Sequence, residues 1–411
     1  MLRVGYRCAV LGLLCAVIIH SALAAVSIPV VHHVSRDSQG LHPVVSDADL
    51  DAAMQRLNAA YNGMGLFFYS YEQRFIDRDD WHAGWETDKY WPDLQELSVS
   101  NALNIFHLNA LKSNGRANFP FRQRDYLFVK AARLDHTTLI HEVGHYFGLI
   151  HTFSRSRRGA YCWNSADLLC DTAEDPGLPR RDFDPKTCEY LGQQQLMAMP
   201  PSRNYMSYGP ASCRDHFTPE QKARIQHTLI NDRFYLGQQI GEIYQQSFAT
   251  VSDFPHQENF TPRPWQAFSW QNAVVGDSAN WTVDPISSHS RVGPKQAQVG
   301  RHFAFLNSRA GEGAHADLLS PWYQTTELGM LQLCFHYQTE AEDHSSLALF
   351  SRTNTDSWTL LWHTGQHSNG WQQHCLTLPP AGAVQLKFSG TLGDGKASSL
   401  ALDALRVSLM K

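Results

Sequence analysis

Three histidines and one glutamate stand at fixed spacing within an otherwise apolar segment, HEVGHYFGLIH at 141–151. Residues four apart on a helix lie on one face, about 6 Å apart along the axis, so His141 and His145 can bind one metal ion together. Glu142 is next to His141 in the sequence and can reach the edge of that site. His151 comes six residues after His145, and on a continuing helix it would point about 240° away. The helix must therefore end before His151.

Gly148 is the residue at which this helix can end, because glycine adopts positive φ without a Cβ penalty. A bend there would return His151 to the metal as a third ligand, and three protein ligands with one open position are typical of catalytic zinc. Zinc lowers the pKa of a bound water to about 7, and Glu142 would be the general base that moves its proton to the leaving amine. A core helix with inert histidines would fit a bare HExxH better than this longer motif. The segment predicts a zinc hydrolase.

The composition is that of a folded protein with more than one domain. The chain has 411 residues, of which 43% are hydrophobic, and this length suggests about two or three domains. Its formal net charge is -5 and it contains no long basic block. These features argue against a nucleic-acid partner.

The N-terminus has the features of a secretory signal peptide. Arg3 and Arg7 precede a mostly apolar run, and Ala22-Leu23-Ala24 gives a small-x-small cleavage pattern, so residues 1–24 are predicted to be removed. The apolar run is too short for a confident membrane span. We therefore expect a secreted, extracellular protein with no stable membrane span, and a periplasmic location is the alternative.

The cysteine count predicts disulfide bonds. Six cysteines follow the signal peptide, and an even number in an exported chain is typical of a disulfide-bonded protein. Four of them allow three pairings, among which the sequence does not choose, and the two in the C-terminal half form a natural pair. The six candidates are Cys162, Cys170, Cys188, Cys213, Cys334 and Cys375.

Regions of different character follow the signal peptide. Residues 25–45 are predicted to form an extended N-terminal or pro-like segment, and its His32 and His33 are interpreted as surface residues. Residues 46–240 combine capped helices with strand-like runs that precede the metal-binding helix. From 250 to 411, aromatic strands recur at short spacing between Gly, Ser, Asn and Pro clusters, which predicts an antiparallel sandwich.

Five motifs carry a resemblance to one family: HEVGHYFGLIH, LNIFHL (103–108), CDTAEDP (170–176), NYMSY (204–208) and SCRDHFTPEQ (212–221). Over roughly residues 45–235 they are similar to the pappalysin (ulilysin-like) family of metzincin zinc metalloproteases. The resemblance implies an α+β fold class, in which a metzincin-type catalytic domain has a mixed twisted sheet and an active-site helix. It implies one catalytic zinc ion on His141, His145 and His151, and protein or peptide substrates.

The resemblance also assigns roles within NYMSY. Met206 would be the Met-turn methionine beneath the metal, and Tyr208 would stabilise the oxyanion of the tetrahedral intermediate. The implied activity is that of a secreted zinc-dependent endopeptidase, which hydrolyses peptide bonds by a zinc-bound water with Glu142 as general base. Arginine-preferring relatives carry acidic residues shortly after the Met-turn, where this chain has GPASC at 209–213. That preference is therefore not extended to this chain.

A calcium ion is a second expectation of the resemblance. Relatives with a calcium-binding loop carry acidic and hydroxyl groups where this chain has Asp171, Thr172 and Asp175, with Asp167 nearby. Hard oxygen ligands suit calcium. A plain acidic turn explains the same residues equally well, so both interpretations stand.

The C-terminal region resembles a MAM domain, a jelly-roll-like adhesion sandwich, on segments such as GRHFAFLNS (300–308) and GWQQHCLTLP (370–379). This resemblance implies a protein or surface partner, or self-association. Trp265, Trp270 and Trp281 are interpreted as core aromatics, and Asp403 as a capping carboxylate. The alternative function for the whole chain is a non-catalytic adhesion or binding protein on a protease scaffold, and a zinc amidase acting on a non-peptide substrate is a third hypothesis.

Overall fold

The computed structural model describes most of the chain after the signal peptide. The described residues are 26–83, 91–109, 111–153, 167–173, 175–192, 200–237, 240, 247–262, 267–274, 276–283, 293–324, 330–339, 344–353, 357–364, 368, 370–378, 382–394 and 398–410. The predicted signal peptide at 1–24, Cys162 and Trp265 lie outside these residues. Among the described residues, no helix has both the length and the apolar character needed to span a bilayer.

The N-terminal domain is built on a five-stranded mixed sheet with the order β2-β1-β3-β5-β4. Three neighbouring pairs run parallel, and β4 alone is antiparallel to β5 at the edge. The strands are β1 (Val26–Arg36), β2 (Leu66–Asp77), β3 (Leu103–Leu108), β4 (Gly115–Ala117) and β5 (Tyr126–Lys130).

Strand β1 corrects the predicted organisation of the N-terminus. Residues 25–45 were expected to lie outside the catalytic domain as an extended or pro-like segment, but β1 is the second strand of its sheet. The interpretation of His32 and His33 as surface residues is wrong, because they are 2% and 0% exposed. Both faces of this central strand are covered, so its histidines are buried beside its apolar residues. The domain therefore begins before residue 46.

Within the described residues, five α-helices accompany this sheet. They are α1 (Asp47–Ala60), α2 (Asp79–Ala83), α3 (Trp91–Leu97), α4 (Thr138–Tyr146) and α5 (Pro219–Asn231). The two capped helices expected from the sequence, α1 and α5, begin with complete capping boxes at Ser46 and Thr218, which satisfy free backbone N–H groups at each start. All nine residues of α4 are buried.

Arg233 fixes the C-terminal end of α4. It is fully buried, its Nε donates to the carbonyl of Tyr146 at 3.0 Å, and its Nη1 pairs with Asp125 at 2.5 Å. The Asp125 carboxylate also accepts hydrogen bonds from the hydroxyls of Tyr146 and Tyr235. A helix end leaves carbonyl groups without intrahelical partners, and this network satisfies one of them while tying α4 to the sheet.

The C-terminal domain is a β-sandwich of two sheets. One has the order β13-β12-β15-β10-β6, with β8 also paired to β10, and the other has the order β14-β11-β16-β7, with β9 also paired to β16. The strands are β6 (Thr250–Val251), β7 (His256–Glu258), β8 (Gln271–Asn272), β9 (Ala304–Asn307), β10 (His315–Gln324), β11 (Leu331–Thr339), β12 (Ser346–Arg352), β13 (Thr359–His363), β14 (Gln372–Thr377), β15 (Ala383–Thr391) and β16 (Ser399–Leu409). The α+β fold class with a following all-β domain is thus confirmed.

Trp270, Trp281 and Asp403 of the sandwich have the core and capping positions expected from the sequence. Trp270 and Trp281 are each 1% exposed and belong to the apolar core between the sheets. Asp403 is buried and accepts backbone N–H groups of Val299 and Ala404 at 2.8 and 2.7 Å. A carboxylate held in this way acts as a cap for the backbone.

Hydrogen bonds join the two domains. The backbone N–H of Phe268 donates to Asn231 at the end of α5, at 2.6 Å. The buried Asn280 bonds the carbonyls of Pro120 and Phe121, and Gln123 donates to the carbonyl of Ala273. The sandwich therefore supports the loop between β4 and β5, next to the edge of the N-terminal sheet.

The prediction of disulfide bonds is confirmed. The structure joins Cys334 to Cys375 across the paired strands β11 and β14, and Cys188 to Cys213 in the N-terminal domain. Cys170 is also disulfide-bonded. The Cys188–Cys213 bond ties the segment that precedes Met206 to the loop that follows it.

Candidate metal centre

The structure brings the three histidines of the opening motif to one point. The Nε2 atom of His151 lies 3.1 Å from Nε2 of His141 and 3.0 Å from Nε2 of His145. His141 and His145 project from the same face of α4, as their spacing requires. Among the described residues, these three form the sole group of at least three His, Cys, Asp or Glu side chains whose ligand atoms converge.

The Nδ1 atoms of His141 and His145 form hydrogen bonds to backbone carbonyls. Nδ1 of His141 donates to the carbonyl of Tyr205 at 2.7 Å, and Nδ1 of His145 donates to the carbonyl of Leu149 at 2.6 Å. Because a carbonyl can only accept, Nδ1 carries the proton, and each Nε2 presents its lone pair to the centre. Lone pairs that face one another at about 3 Å repel unless a cation lies between them.

The donor set fits a tetrahedral metal ion. With Zn–N bonds of about 2.0–2.1 Å, tetrahedral geometry places two ligand nitrogens about 3.3 Å apart, close to the spacing of the Nε2 atoms. Burial lowers the pKa of all three imidazoles, to about 4 for His145 and about 3 for His151. They are therefore neutral at pH 7, the state in which an imidazole binds metal.

Gly148 provides the bend that returns His151 to the site. It has φ of +85°, its N–H bonds the carbonyl of His145, and the N–H of Leu149 bonds the carbonyl of Gly144. These two bonds define a Schellman motif, which ends a helix with a left-handed residue. A side chain at Gly148 would be strained in this conformation, so the third ligand depends on a glycine here.

Glu142 lies against the edge strand of the sheet. Its side chain is 6% exposed, and a Cβ built on Gly115 of β4 would lie 2.5 Å from its Cγ and 2.6 Å from its Oε1. Burial raises the pKa of Glu142 to about 8, and the nearby Arg214 opposes this rise. Gly115 was not identified from the sequence, because contact between β4 and α4 depends on the fold.

Met206 lies beneath the helix that carries two of the ligands. It is fully buried, and a Cβ on Gly144 would lie 2.6 Å from its Sδ atom. Its backbone N–H donates to Asn204, which exchanges hydrogen bonds with Gln221 of α5. The methionine turn is thereby fixed to a buried polar network, and Gly144 permits its close approach to α4.

Tyr208 lies beside the histidines on the solvent side. Its ring centroid is 4.7 Å from that of His151 and 6.0 Å from that of His141, and the residue is 48% exposed. Burial of the hydroxyl and the Glu142 carboxylate raise the pKa of Tyr208. The phenol is therefore protonated at neutral pH and can donate a hydrogen bond to a bound substrate.

The predicted calcium ligands form hydrogen bonds to protein groups, and two of them, Asp167 and Thr172, bond to each other. Asp167 accepts from Thr172 and Gln221, and Asp171 accepts from Thr218 and the backbone N–H of Glu220 at the start of α5. Asp175 accepts from the hydroxyl of Thr152 and the N–H of Gly177. Within the described residues these carboxylates do not gather into one ligand group. Calcium binding stays a prediction, and hydrogen bonding accounts for the acidic residues seen here.

Comparisons with known proteins agree with this site. The peptidase M43 family model, described as pregnancy-associated plasma protein-A, matches residues 85–230, and the model described as MAM domain, meprin/A5/mu, matches residues 266–411. An extracellular metalloprotease of Pyricularia oryzae is 37% identical over 222 residues, which are 47% of this chain and 71% of the relative.

Two further relatives share shorter regions. An extracellular metalloprotease of Colletotrichum graminicola is 36% identical over 91 residues, 21% of this chain and 28% of that protein. Pappalysin-1 of Mus musculus is 29% identical over 179 residues, 36% of this chain and 10% of that protein. The chain therefore spans well under half the length of these two relatives.

The fold, the histidine site and these similarities together define a metalloprotease. The chain belongs to the pappalysin family, and its C-terminal region is a MAM domain. The family implies a zinc ion, and His141, His145 and His151 are the residues that can hold it.

Proposed function

We propose that this protein is an exported zinc endopeptidase of the metzincin type, in which His141, His145 and His151 hold one catalytic ion. The observation that carries the proposal is the convergence of three Nε2 atoms beside a buried glutamate. Three such ligands leave a coordination position for substrate or water. When bound, zinc supplies Lewis acidity toward a peptide carbonyl and lowers the pKa of water to about 7.

Glu142 and Tyr208 would transfer the proton and stabilise the negative charge of the reaction. A cation held by the histidines would lower the pKa of Glu142 from its metal-free value of about 8, so that the carboxylate is ionised at neutral pH. Glu142 then takes a proton from the attacking water as general base and returns it to the amine of the leaving peptide as general acid. The hydroxyl of Tyr208 donates a hydrogen bond to the oxyanion of the tetrahedral intermediate, which stabilises that charge more than it stabilises the neutral carbonyl. Both residues flank the histidine site, and the exposure of Tyr208 leaves it accessible to a peptide.

The predicted signal peptide, the disulfide bonds and the relatives that are named extracellular metalloproteases support export. Disulfide bonds persist in oxidising compartments and are rare in the cytosol. The MAM domain would bind a protein or surface partner, or a second copy of the chain.

The test compares wild type with Glu142→Ala and Glu142→Gln. Zinc content is measured on the purified proteins, and cleavage is measured on a peptide library derived from a whole proteome. We expect about one zinc per chain in all three proteins and a fall in kcat/KM of about 10²- to 10⁴-fold in both variants. Glu189→Ala, at an exposed glutamate far along the chain from the motif, is the control and keeps wild-type cleavage.

Two results would contradict the proposal. Equal cleavage by wild type and Glu142→Ala would remove Glu142 from the mechanism. Wild-type protein that binds zinc but cleaves no peptide would favour the non-catalytic binding protein or an amidase of another substrate.

A further inference from the structure

Arg214 is a buried cation beside the metal centre that the proposed chemistry does not use. Only 9% of the residue is exposed. It interacts electrostatically with both Glu142 and Tyr208, the two residues proposed to act on the substrate. Its Nη1 lies 3.4 Å from the carbonyl of Ser207, the residue before Tyr208, so the guanidinium lies beside the side chains that would act on the substrate.

The hydrogen-bonding capacity of Arg214 is mostly unused. A guanidinium has five N–H donors. Within the described part of the chain, its one hydrogen-bond acceptor is the carbonyl of Ser207, 3.4 Å from Nη1, and its Nε is buried without a partner. Burial lowers the pKa of Arg214 to about 10, so it stays charged at neutral pH. A buried cation with few partners favours an approaching anion.

The backbone around Arg214 is held in place before any substrate binds. Cys213, its neighbour, is bonded to Cys188. On the other side, the N–H of Asp215 bonds the carbonyl of Arg203 at 2.8 Å. Because this backbone is already ordered, little conformational entropy is lost when a ligand binds to Arg214, which favours selective binding.

We propose that Arg214 is a specificity-determining residue, which binds a carboxylate of the peptide substrate close to the scissile bond. This inference rests on the proposed endopeptidase function. A guanidinium can bind a carboxylate through two parallel hydrogen bonds, a geometry that neutral side chains do not match. Two sources supply the same chemistry: the side chain of Asp or Glu next to the cleaved bond, and the free C-terminus of a short peptide.

The experiment compares matched peptides after cleavage-site sequencing has located the scissile bond. The first pair carries Glu or Gln at each position that flanks this bond, within a long peptide blocked at both ends. The second pair ends near the bond either as a free acid or as an amide, without acidic side chains. For each pair, the ratio of kcat/KM for the charged peptide to that for the neutral peptide is measured on zinc-loaded full-length protein.

Wild type should prefer the charged member of one pair by about 10- to 100-fold, as is typical for a hydrogen bond to a charged group. Arg214→Gln should bring that ratio close to 1, and Arg214→Glu should favour a Lys-containing peptide instead. Arg214→Lys, which keeps the charge, should retain part of the preference. Arg181→Gln is the matched control, because that arginine has a side chain 87% exposed, and it should leave the ratio unchanged.

The pair that shows the preference identifies the source of the carboxylate. A wild-type ratio near 1 for both pairs would overturn the inference, even if every Arg214 variant failed to fold. An equal loss of rate on charged and neutral peptides in Arg214→Gln would also overturn it, since Arg214 would then act through Glu142 or the fold. Failure of wild type to cleave any peptide would instead contradict the proposed function.

Discussion

Replacement of Gly115 by alanine should impair catalysis while leaving the protein folded. The new Cβ would lie 2.5 Å from Cγ and 2.6 Å from Oε1 of Glu142. Carbon atoms in ordinary contact are about 3.5–4.0 Å apart, so the glutamate would have to move by about 1 Å. A displacement of about 1 Å in a catalytic group lowers the rate about 10²-fold. We therefore expect Gly115→Ala to reduce kcat/KM by roughly two orders of magnitude.

The free energy of unfolding should change little in this variant. The contacted atoms belong to a side chain that can rotate, and β4 lies at the edge of its sheet, so the fold can absorb the new methyl group. Peptide cleavage, zinc content and thermal unfolding are measured on the same preparation. Gly382→Ala is the matched control, because a Cβ there meets nothing within 4 Å. Wild-type kcat/KM in a folded Gly115→Ala protein would refute the contact between β4 and Glu142.

Three further predictions concern stability. Gly144→Ala should destabilise the protein by about 1–3 kcal/mol in chemical denaturation, because the new Cβ would lie 2.6 Å from Sδ of Met206; an unchanged midpoint would contradict the close packing. Replacement of both Cys188 and Cys213, which are 25 residues apart in sequence, by serine should lower the free energy of unfolding by about 3.5 kcal/mol on the chain-entropy model; equal stability would show that other contacts hold this loop. Burial raises the pKa of Asp403 to about 6, so the folded protein favours the neutral carboxyl group. In the unfolded chain the pKa is about 3.9. The stabilisation is therefore fully present below a pH of about 3.9 and is lost as the pH rises through about 6. Asp403→Asn should remove this decline in urea unfolding between pH 4 and 7, and parallel curves for the two proteins would contradict it.

The local parts of the metal centre could be predicted from the sequence. The spacing of His141 and His145 fixes their common face, and Gly148 marks the bend, because both follow from helix geometry and glycine conformation. The alternation of aromatic strands likewise predicts the sandwich. In each case the sequence pattern that supports the prediction spans only a few residues.

The remaining parts depend on contacts between distant segments. Gly115 approaches Glu142 because β4 pairs with β5 beside α4, and no short sequence pattern encodes that pairing. Arg214 looks like an ordinary surface residue in the sequence, and its burial follows from the fold of the loop after Met206. For the same reason, the burial of β1 in the sheet was missed. Pairing between distant segments determines which residues are buried, and this pairing cannot be read from a single sequence.

X-ray absorption at the zinc edge of the purified full-length protein would identify the ligands of the proposed zinc ion. One bound zinc should show three imidazole nitrogen ligands at about 2.0–2.1 Å and one exchangeable oxygen ligand, with the scattering of one imidazole lost in His151→Ala. Sulfur scattering from a cysteine, four protein ligands around the ion, or an unchanged spectrum in His151→Ala would contradict it.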